Sequence, residues 1–236
     1  MCGRLNVIDS PELRTLCEQL EIAIYPKSGL RTGRFKSVAN EISIVYQSGS
    51  EMIMDDALWW LLVEPNRDPN NPLKPSRFTS FNTRYDKLNV PRSAGFVAFR
   101  ETRCVMPVSG FGESQKEGTD TRYTDFIATR GAMLLGGLYR EWAVNVGEGQ
   151  TVNKLSCSVV TLPAHDKIAP YHTKASPLML SLEDGSAQTW LDTSRPLKDV
   201  ESLLKPTIRE ALNAQPIDKP SLYNPIGDSV LIDRDG

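Results

Sequence analysis

The chain of 236 residues reads as an α+β protein: a single compact domain of mostly antiparallel short strands in barrel-like sheets, with a few short helices. Three observations carry that reading. Short apolar runs with strand-like alternation recur too closely for serial βαβ units. The helical patterns between them are few and short. No repeat, low-complexity tract or linker divides the chain, so one domain is expected over 1–236, with 205–236 as a C-terminal extension. Hydrophobic content of 40% and charged content of 24% are ordinary for a globular protein and exclude disorder, collagen and coiled coil.

Residues 1–8 alternate weakly and predict a strand. Ser10-Pro11-Glu12 then predicts a helix start, with a Ser cap, Pro at the first helical position and an acid in the first turn. Leu13, Leu16, Cys17 and Leu20 follow at helical spacing, which makes Cys17 a small core residue. Residues 42–47 alternate as a strand, and 51–63 continue in the same fashion. Pro65, Pro69, Pro72 and Pro75 predict a loop over 64–76. Further strands are expected at 78–82, 104–108, 123–128, 132–139, 155–162 and 177–181. Short helices are expected at 93–101, 163–169, 183–192 and 197–204, and an extended tail at 221–232. Cys104 and Cys157 lie in apolar strand-like runs and read as buried and inert. Trp59, Trp60 and Phe111 are candidates to stack on bases, with core burial expected first for Trp60.

The formal charge is −2, from 27 basic and 29 acidic residues, which argues against a duplex binder that works by bulk charge. The basic residues are clustered. Lys27, Arg31, Arg34 and Lys36 come without an intervening acid, and seven basic residues from Lys74 to Arg103 face only Asp86 and Glu101. This fits either an ordinary salt-bridged surface or a local phosphate-tracking groove. The longest apolar run, 57–63, falls far short of the roughly 20 residues that span a bilayer. No basic start precedes an apolar stretch, so a cytoplasmic location is expected, on the nucleoid if the host is bacterial. Four scattered cysteines without a Cys-x-x-Cys pair, and two histidines seven apart, predict neither a disulfide scaffold nor a metal site.

The chain begins Met1-Cys2-Gly3-Arg4. Removal of Met1, which a small second residue favours, would leave Cys2 with a free α-amine beside its thiol. Such a 1,2-aminothiol condenses with aldehydes to an imine and closes to a thiazolidine. An α-amine of ordinary pKa is about 10% free base at neutral pH, a few-hundred-fold more than lysine. Alternatively, Cys2 is an incidental residue behind a retained methionine.

Five further blocks run in order behind this opening. Gly33-Arg34-Phe35 precedes Val38-Ala39; Trp59-Trp60 leads to Glu64-Pro65; Asn82-Thr83-Arg84-Tyr85-Asp86 follows. Next come Arg103-Cys104-Val105-Met106-Pro107-Val108-Ser109-Gly110-Phe111-Gly112-Glu113, and Ala169-Pro170-Tyr171-His172 with Pro177-Leu178-Met179-Leu180. Together with the opening, this resembles the SOS-response-associated peptidase family, which includes the eukaryotic abasic-site-shielding proteins. The resemblance runs from residue 1 to about 190. The chain departs from the family pattern at Gly112 and Ser114, where aromatics flank the glutamate, and lacks the arginine after the histidine.

The resemblance implies covalent capture of abasic sites in single-stranded DNA, with possible self-peptidase activity. Carried onto this sequence, Cys2 supplies amine and thiol, and Glu113 is the acid/base group. Asn82 orients the Cys2 terminus or the sugar, and His172 moves the ring-opening proton. Arg4 and Arg84 clamp phosphates, with Arg34 and Arg77 as further phosphate contacts. No metal or nucleotide cofactor is expected, and the partner is abasic single-stranded DNA met by a monomer. Read singly, Glu113 could equally be a turn acid, Asn82 a turn residue and His172 a loop histidine. Two other functions fit parts of the sequence. One is an N-terminal-nucleophile amidohydrolase, in which the thiol attacks an amide and the α-amine is the base. The other is a single-stranded-DNA-binding module without chemistry.

Overall fold

The structure, a computed structural model, describes residues 3–68, 70–146 and 150–236. Strand β1 (Arg4–Val7) leads into helix α1 (Pro11–Gln19). Ser10 caps that helix by accepting the Leu13 amide at 3.2 Å, with Pro11 in the first turn. Strands β2 (Ile22–Ile24), β3 (Gly33–Ser37), β4 (Glu41–Ser48), β5 (Glu51–Leu58), β6 (Val63–Pro65), β7 (Leu73–Pro75) and β8 (Asn82–Arg84) follow. Helix α2 (Phe96–Glu101) precedes the long meander β9 (Arg103–Val108), β10 (Gly110–Glu117), β11 (Asp120–Ala128), β12 (Met133–Asn145) and β13 (Thr151–Leu162). The chain finishes with β14 (Ser176–Pro177), β15 (Met179–Leu180), α3 (Ser186–Leu191), α4 (Leu197–Glu201), β16 (Leu212–Ile217) and β17 (Val230–Ile232).

Two large sheets and the two-stranded ribbon β6-β7 hold these strands. One runs β17-β16-β11-β10-β1-β3. The other contains the path β13-β12-β9-β4-β5, and β5 pairs back onto β13 in parallel at Leu155–Ala57 and Ser156–Leu58. That last pairing closes five strands into a barrel and removes two free edges. The fold is therefore α+β and mostly antiparallel, as expected from the sequence.

Leu5, Phe111 and Phe126 stand side by side across β1, β10 and β11 and are fully buried. The Phe111 and Phe126 rings stack at 4.9 Å. This row joins Ile42, Ile44, Cys104, Met106, Leu135 and Cys157 of the barrel in one core. Burying each phenylalanine contributes about 1.5–3 kcal/mol. A second core packs Phe99, Leu138, Val160, Leu178 and Trp190 against the barrel, with Cys17 of α1 among them. Trp190 fits there because its indole N–H finds the Cys104 and Gly137 carbonyls at 3.0 and 3.2 Å. Arg103 is also buried. Its guanidinium donates to the Phe99, Arg100, Trp190 and Asp192 carbonyls, at the C-terminal ends of α2 and α3, where helix carbonyls lack intrahelical partners.

Several local expectations are corrected. The proline-rich stretch 64–76 contains a two-stranded ribbon, β6 with β7, because the pairing uses prolines at strand ends where no amide is needed. Residues 166–171 form turns rather than a helix. Of 78–82, only Asn82 enters a strand. In the tail 221–232, regular pairing is confined to β17. Strands β10 and β16 lie where no strand was expected. Trp59, not Trp60, is the fully buried member of its pair, since its N–H reaches the Phe81 carbonyl at 2.9 Å inside the fold. Phe111 is buried too, so neither Trp59 nor Phe111 is open to a base. Cys104 and Cys157 are buried as expected, and burial pushes both thiols well up. No helix among the described residues is long and apolar enough to cross a membrane.

Candidate active site

Glu113 lies in the middle of β10, not in a turn, and is 2% exposed. Side chains alternate along a strand, so Glu113 shares the inward face of Phe111. His172 is equally buried and stands at the end of the turn segment 165–172. Three contacts clamp that segment against the six-stranded sheet. Ile168 enters the core, Tyr171 packs edge-on against Phe126 at 5.7 Å, and the Thr173 amide donates to Gln115 of β10 at 3.2 Å. The result brings His172 Nε2 to 3.5 Å from Glu113 Oε2, although the two residues are 59 positions apart in sequence.

The electrostatics of this pair follow from burial. Desolvation raises the Glu113 carboxyl to about 7, against a smaller opposing pull from the Arg4 charge. Desolvation lowers the His172 imidazole to about 4, and the nearby Lys174 charge pushes the same way. A charged imidazolium–carboxylate pair is therefore not the resting form. The tautomer is set as well. His172 Nδ1 is 3.0 Å from the Ser114 carbonyl, which only accepts, so Nδ1 carries the proton and Nε2 presents its lone pair to Glu113. A half-protonated carboxyl near neutral pH beside a neutral imidazole can both take and return a proton.

Arg4 occupies a different position from the phosphate clamp expected of it. It is 5% exposed and reaches across Gly112 to Asp125, which is fully buried. Arg4, Gly112 and Asp125 are cross-strand neighbours on β1, β10 and β11. A Cβ on Gly112 would collide with the Arg4 guanidinium. The departure from the family pattern at residue 112 thus has a steric reason. Asn6, two residues along β1, donates to the other Asp125 oxygen at 3.3 Å.

Asn82 sits half-buried on β8, paired in parallel with Val159 of β13. Arg84 lies two residues further and is exposed, its guanidinium held by both oxygens of Asp86 at 3.0 and 2.9 Å. It borders a cleft of about 490 Å³ lined also by Tyr85, Thr161, Leu162, Pro163 and Lys174. Arg34 is exposed on β3 and stacks on Tyr223 at 3.8 Å. Arg77 is exposed beside Phe78. The structure thus brings Glu113 and His172 together, withdraws Arg4 into a buried pair, and leaves Arg34, Arg77 and Arg84 on the surface. Cys2 lies outside the described residues. Among the described residues, no group of three His, Cys, Asp or Glu could hold a metal ion.

Asp125 and Lys174 were not singled out from the sequence. Asp125 carries one weak signal, an acid within the strand-like run Tyr123-Thr124-Asp125-Phe126-Ile127. Lys174 carries none.

The fold and this site define a class: an antiparallel barrel domain with a buried carboxyl–imidazole pair near the start of its N-terminal strand. A model of the SOS response associated peptidase (SRAP) family matches residues 1–220, and the chain belongs to that family. Membership supports a function associated with DNA damage and interaction with DNA. Among solved structures, a Bacteroides thetaiotaomicron protein is similar over 94% of this chain and 95% of its own, at 17% identity and TM-score 0.71. A Bordetella bronchiseptica protein covers 87% of this chain and 94% of its own, at 15% identity and TM-score 0.65. A phage-related protein from the same organism covers 86% and 87%, at 16% identity and TM-score 0.57. These likenesses concern the fold. No curated protein matches the chain.

Proposed function

We propose that this protein captures abasic sites in single-stranded DNA covalently, through a thiazolidine made by the amine and thiol of Cys2 once Met1 is removed. The observation that carries the reading is the buried Glu113–His172 pair. Its carboxyl is held near 7 beside a neutral imidazole, which suits imine chemistry at physiological pH. Strand pairing supports it further. Arg4 is paired with Gly112, the residue before Glu113. Strand β1, which follows the N-terminal residues, thus runs directly beside the strand that carries that carboxyl.

The ring-opened abasic sugar presents an aldehyde at C1′. The Cys2 amine adds to that carbon, and the carbinolamine loses water to give the imine. The thiol then adds across the C=N bond, forming C–S and returning a proton to nitrogen. The balance is aldehyde plus aminothiol giving thiazolidine plus water, with no redox change. Glu113 donates the proton that lets water leave, takes one from the nitrogen as the imine forms, and relays the thiol's proton to that nitrogen as the C–S bond closes. His172, through its unprotonated Nε2, accepts the C1′ hydroxyl proton and returns it to the ring oxygen as the C1′–O4′ bond breaks. Asn82 orients the sugar or the amine. Arg34, Arg77 and Arg84 contact phosphates along the strand, each reducing the salt-sensitive electrostatic cost of bringing DNA to the site. Arg4 serves this reading as an internal anchor of β1, not as a clamp. The working form is a monomer acting where DNA is handled, in the cytoplasm or on a bacterial nucleoid.

The test is incubation with a single-stranded oligonucleotide carrying one abasic site, followed by a denaturing gel. A shifted band without added reductant, absent with intact DNA and with Cys2→Ala, is the expected result. Its absence from protein whose intact mass shows Met1 removed would overturn the proposal. Glutaminase activity in that preparation would favour the amidohydrolase reading, and salt-sensitive binding alone would favour a non-covalent module.

A further inference from the structure

The family match ends at residue 220, yet the segment beyond it returns to both sides of the site. At one end is Tyr223. Its hydroxyl donates to Asn6 Oδ1 at 2.8 Å, across 217 positions of sequence, and also contacts the Arg34 carbonyl. One hydroxyl proton therefore faces acceptors on two neighbouring strands, β1 and β3. The ring is held too, by the Arg34 guanidinium over its face and by Phe35 edge-on at 6.1 Å. Burial pushes the phenol up to about 12, so the hydroxyl keeps its proton at any working pH. Tyr223 adopts φ of 62°, a left-handed conformation that costs a bulky residue energy and persists only when contacts over-determine it. From Asn6 the chain of contacts continues to Asp125 and then to Arg4, which lies over Gly112 beside Glu113.

At the other end is Asp235. Its two carboxylate oxygens receive His165 Nε2 and Lys167 Nζ, both at 2.9 Å, and the Ile208 amide at 2.8 Å. His165 and Lys167 belong to the turn segment whose last residue is His172. The His172 and Ala169 amides donate to the Ile168 and His165 carbonyls at 3.0 and 2.8 Å, so hydrogen bonds link His165 through to His172 within that segment.

We infer that segment 221–235 is a strap that positions the two halves of the site, through Tyr223 on the strand that carries the N-terminus and through Asp235 on the turn that carries His172. Tyr223 and Asp235 are positioning residues, since neither touches the reacting atoms. For its activity the inference rests on the capture reading. The physical reason for such a device is that a nucleophile on a chain terminus starts from high conformational freedom. Terminal residues fray unless tied down, and misplacement by about 1 Å costs orders of magnitude in rate.

Tyr223→Phe and Asp235→Asn test it, because each keeps the shape: the first removes the hydroxyl that bridges Asn6 and Arg34, the second the carboxylate charge that holds His165 and Lys167. Two readouts are needed. The first is the rate constant of covalent capture at saturating abasic DNA, set beside affinity for intact single-stranded DNA. Each variant is expected to lower the rate about tenfold with affinity unchanged. The second is native-state amide hydrogen exchange in the free protein. Tyr223→Phe should speed exchange in residues 4–7, and Asp235→Asn in 168–172, with the barrel strands unchanged. A core variant, Val200→Ala, serves as a control for stability alone. Wild-type capture rates in both variants, or losses that only follow the stability lost in the control, would overturn the inference, as would exchange that rises uniformly or not at all. If the wild-type protein forms no crosslink, the capture reading fails, while the exchange measurement still decides whether the strap exists.

Discussion

Replacing Glu113 by Gln separates what this carboxyl does for the reaction from what it costs the fold. The residue is 2% exposed, and burial holds its pKa at about 7 against an ordinary value of 4.5. Over that interval the folded protein binds a proton that the unfolded chain has released, so unfolding becomes easier as pH rises. The contribution to stability is complete below 4.5 and is lost as pH rises through 7. At alkaline pH, keeping an ionised carboxylate in this position costs about 3 kcal/mol. Glutamine has the same shape and never ionises. The Glu113→Gln variant should match the wild type near pH 4.5 and exceed its stability by about 3 kcal/mol near pH 8.5. Urea unfolding at several pH values measures that difference directly. Capture should fall by about 10²–10⁴ at the same time, the usual worth of a positioned acid/base group. A stability difference that does not change with pH, or one that favours the wild type at alkaline pH, would refute the account of this carboxyl as raised by desolvation.

Other consequences follow from the neighbouring residues. Asp125→Ala removes the fully buried carboxylate facing the Arg4 guanidinium and should destabilise the protein by about 3–5 kcal/mol, seen as a lower Tm. Changing both partners to apolar residues, Arg4→Met with Asp125→Leu, should recover much of that loss. Arg84→Ala should leave Tm within about 1 °C, because an exposed ion pair contributes little. The same variant should reduce the salt slope of single-stranded DNA binding by about 0.7. An unchanged slope would remove Arg84 from the DNA-contacting surface.

What was legible in the sequence was local. The Ser10-Pro11 cap starts α1 because it satisfies helix donors within three residues. Strands β4, β9, β11, β12 and β13 carry apolar runs strong enough to be read without partners. Strand β10 was missed because Gly110-Phe111-Gly112-Glu113 lacks such a run, and its residues become a strand only between β1 and β11. The β6–β7 ribbon was hidden for a similar reason, since prolines signal a loop unless their missing amides fall where none is required.

The site divides in the same way. Glu113 and His172 were singled out by the family resemblance that the ordered blocks carry, and the sequence alone determined which chemical groups the protein owns. Only the tertiary structure decided how those groups behave. A carboxyl in a turn would titrate like any other acid. Glu113 does not, because β1, β11 and the 165–172 turn remove water from around it and set a neutral imidazole against it. The same held for Arg4, which sequence presented as a free cation and the sheet closed over as the partner of Asp125. Charge, reach and polarity are written residue by residue, whereas desolvation is a property of everything packed around a group, and that is assembled from parts of the chain more than a hundred residues apart.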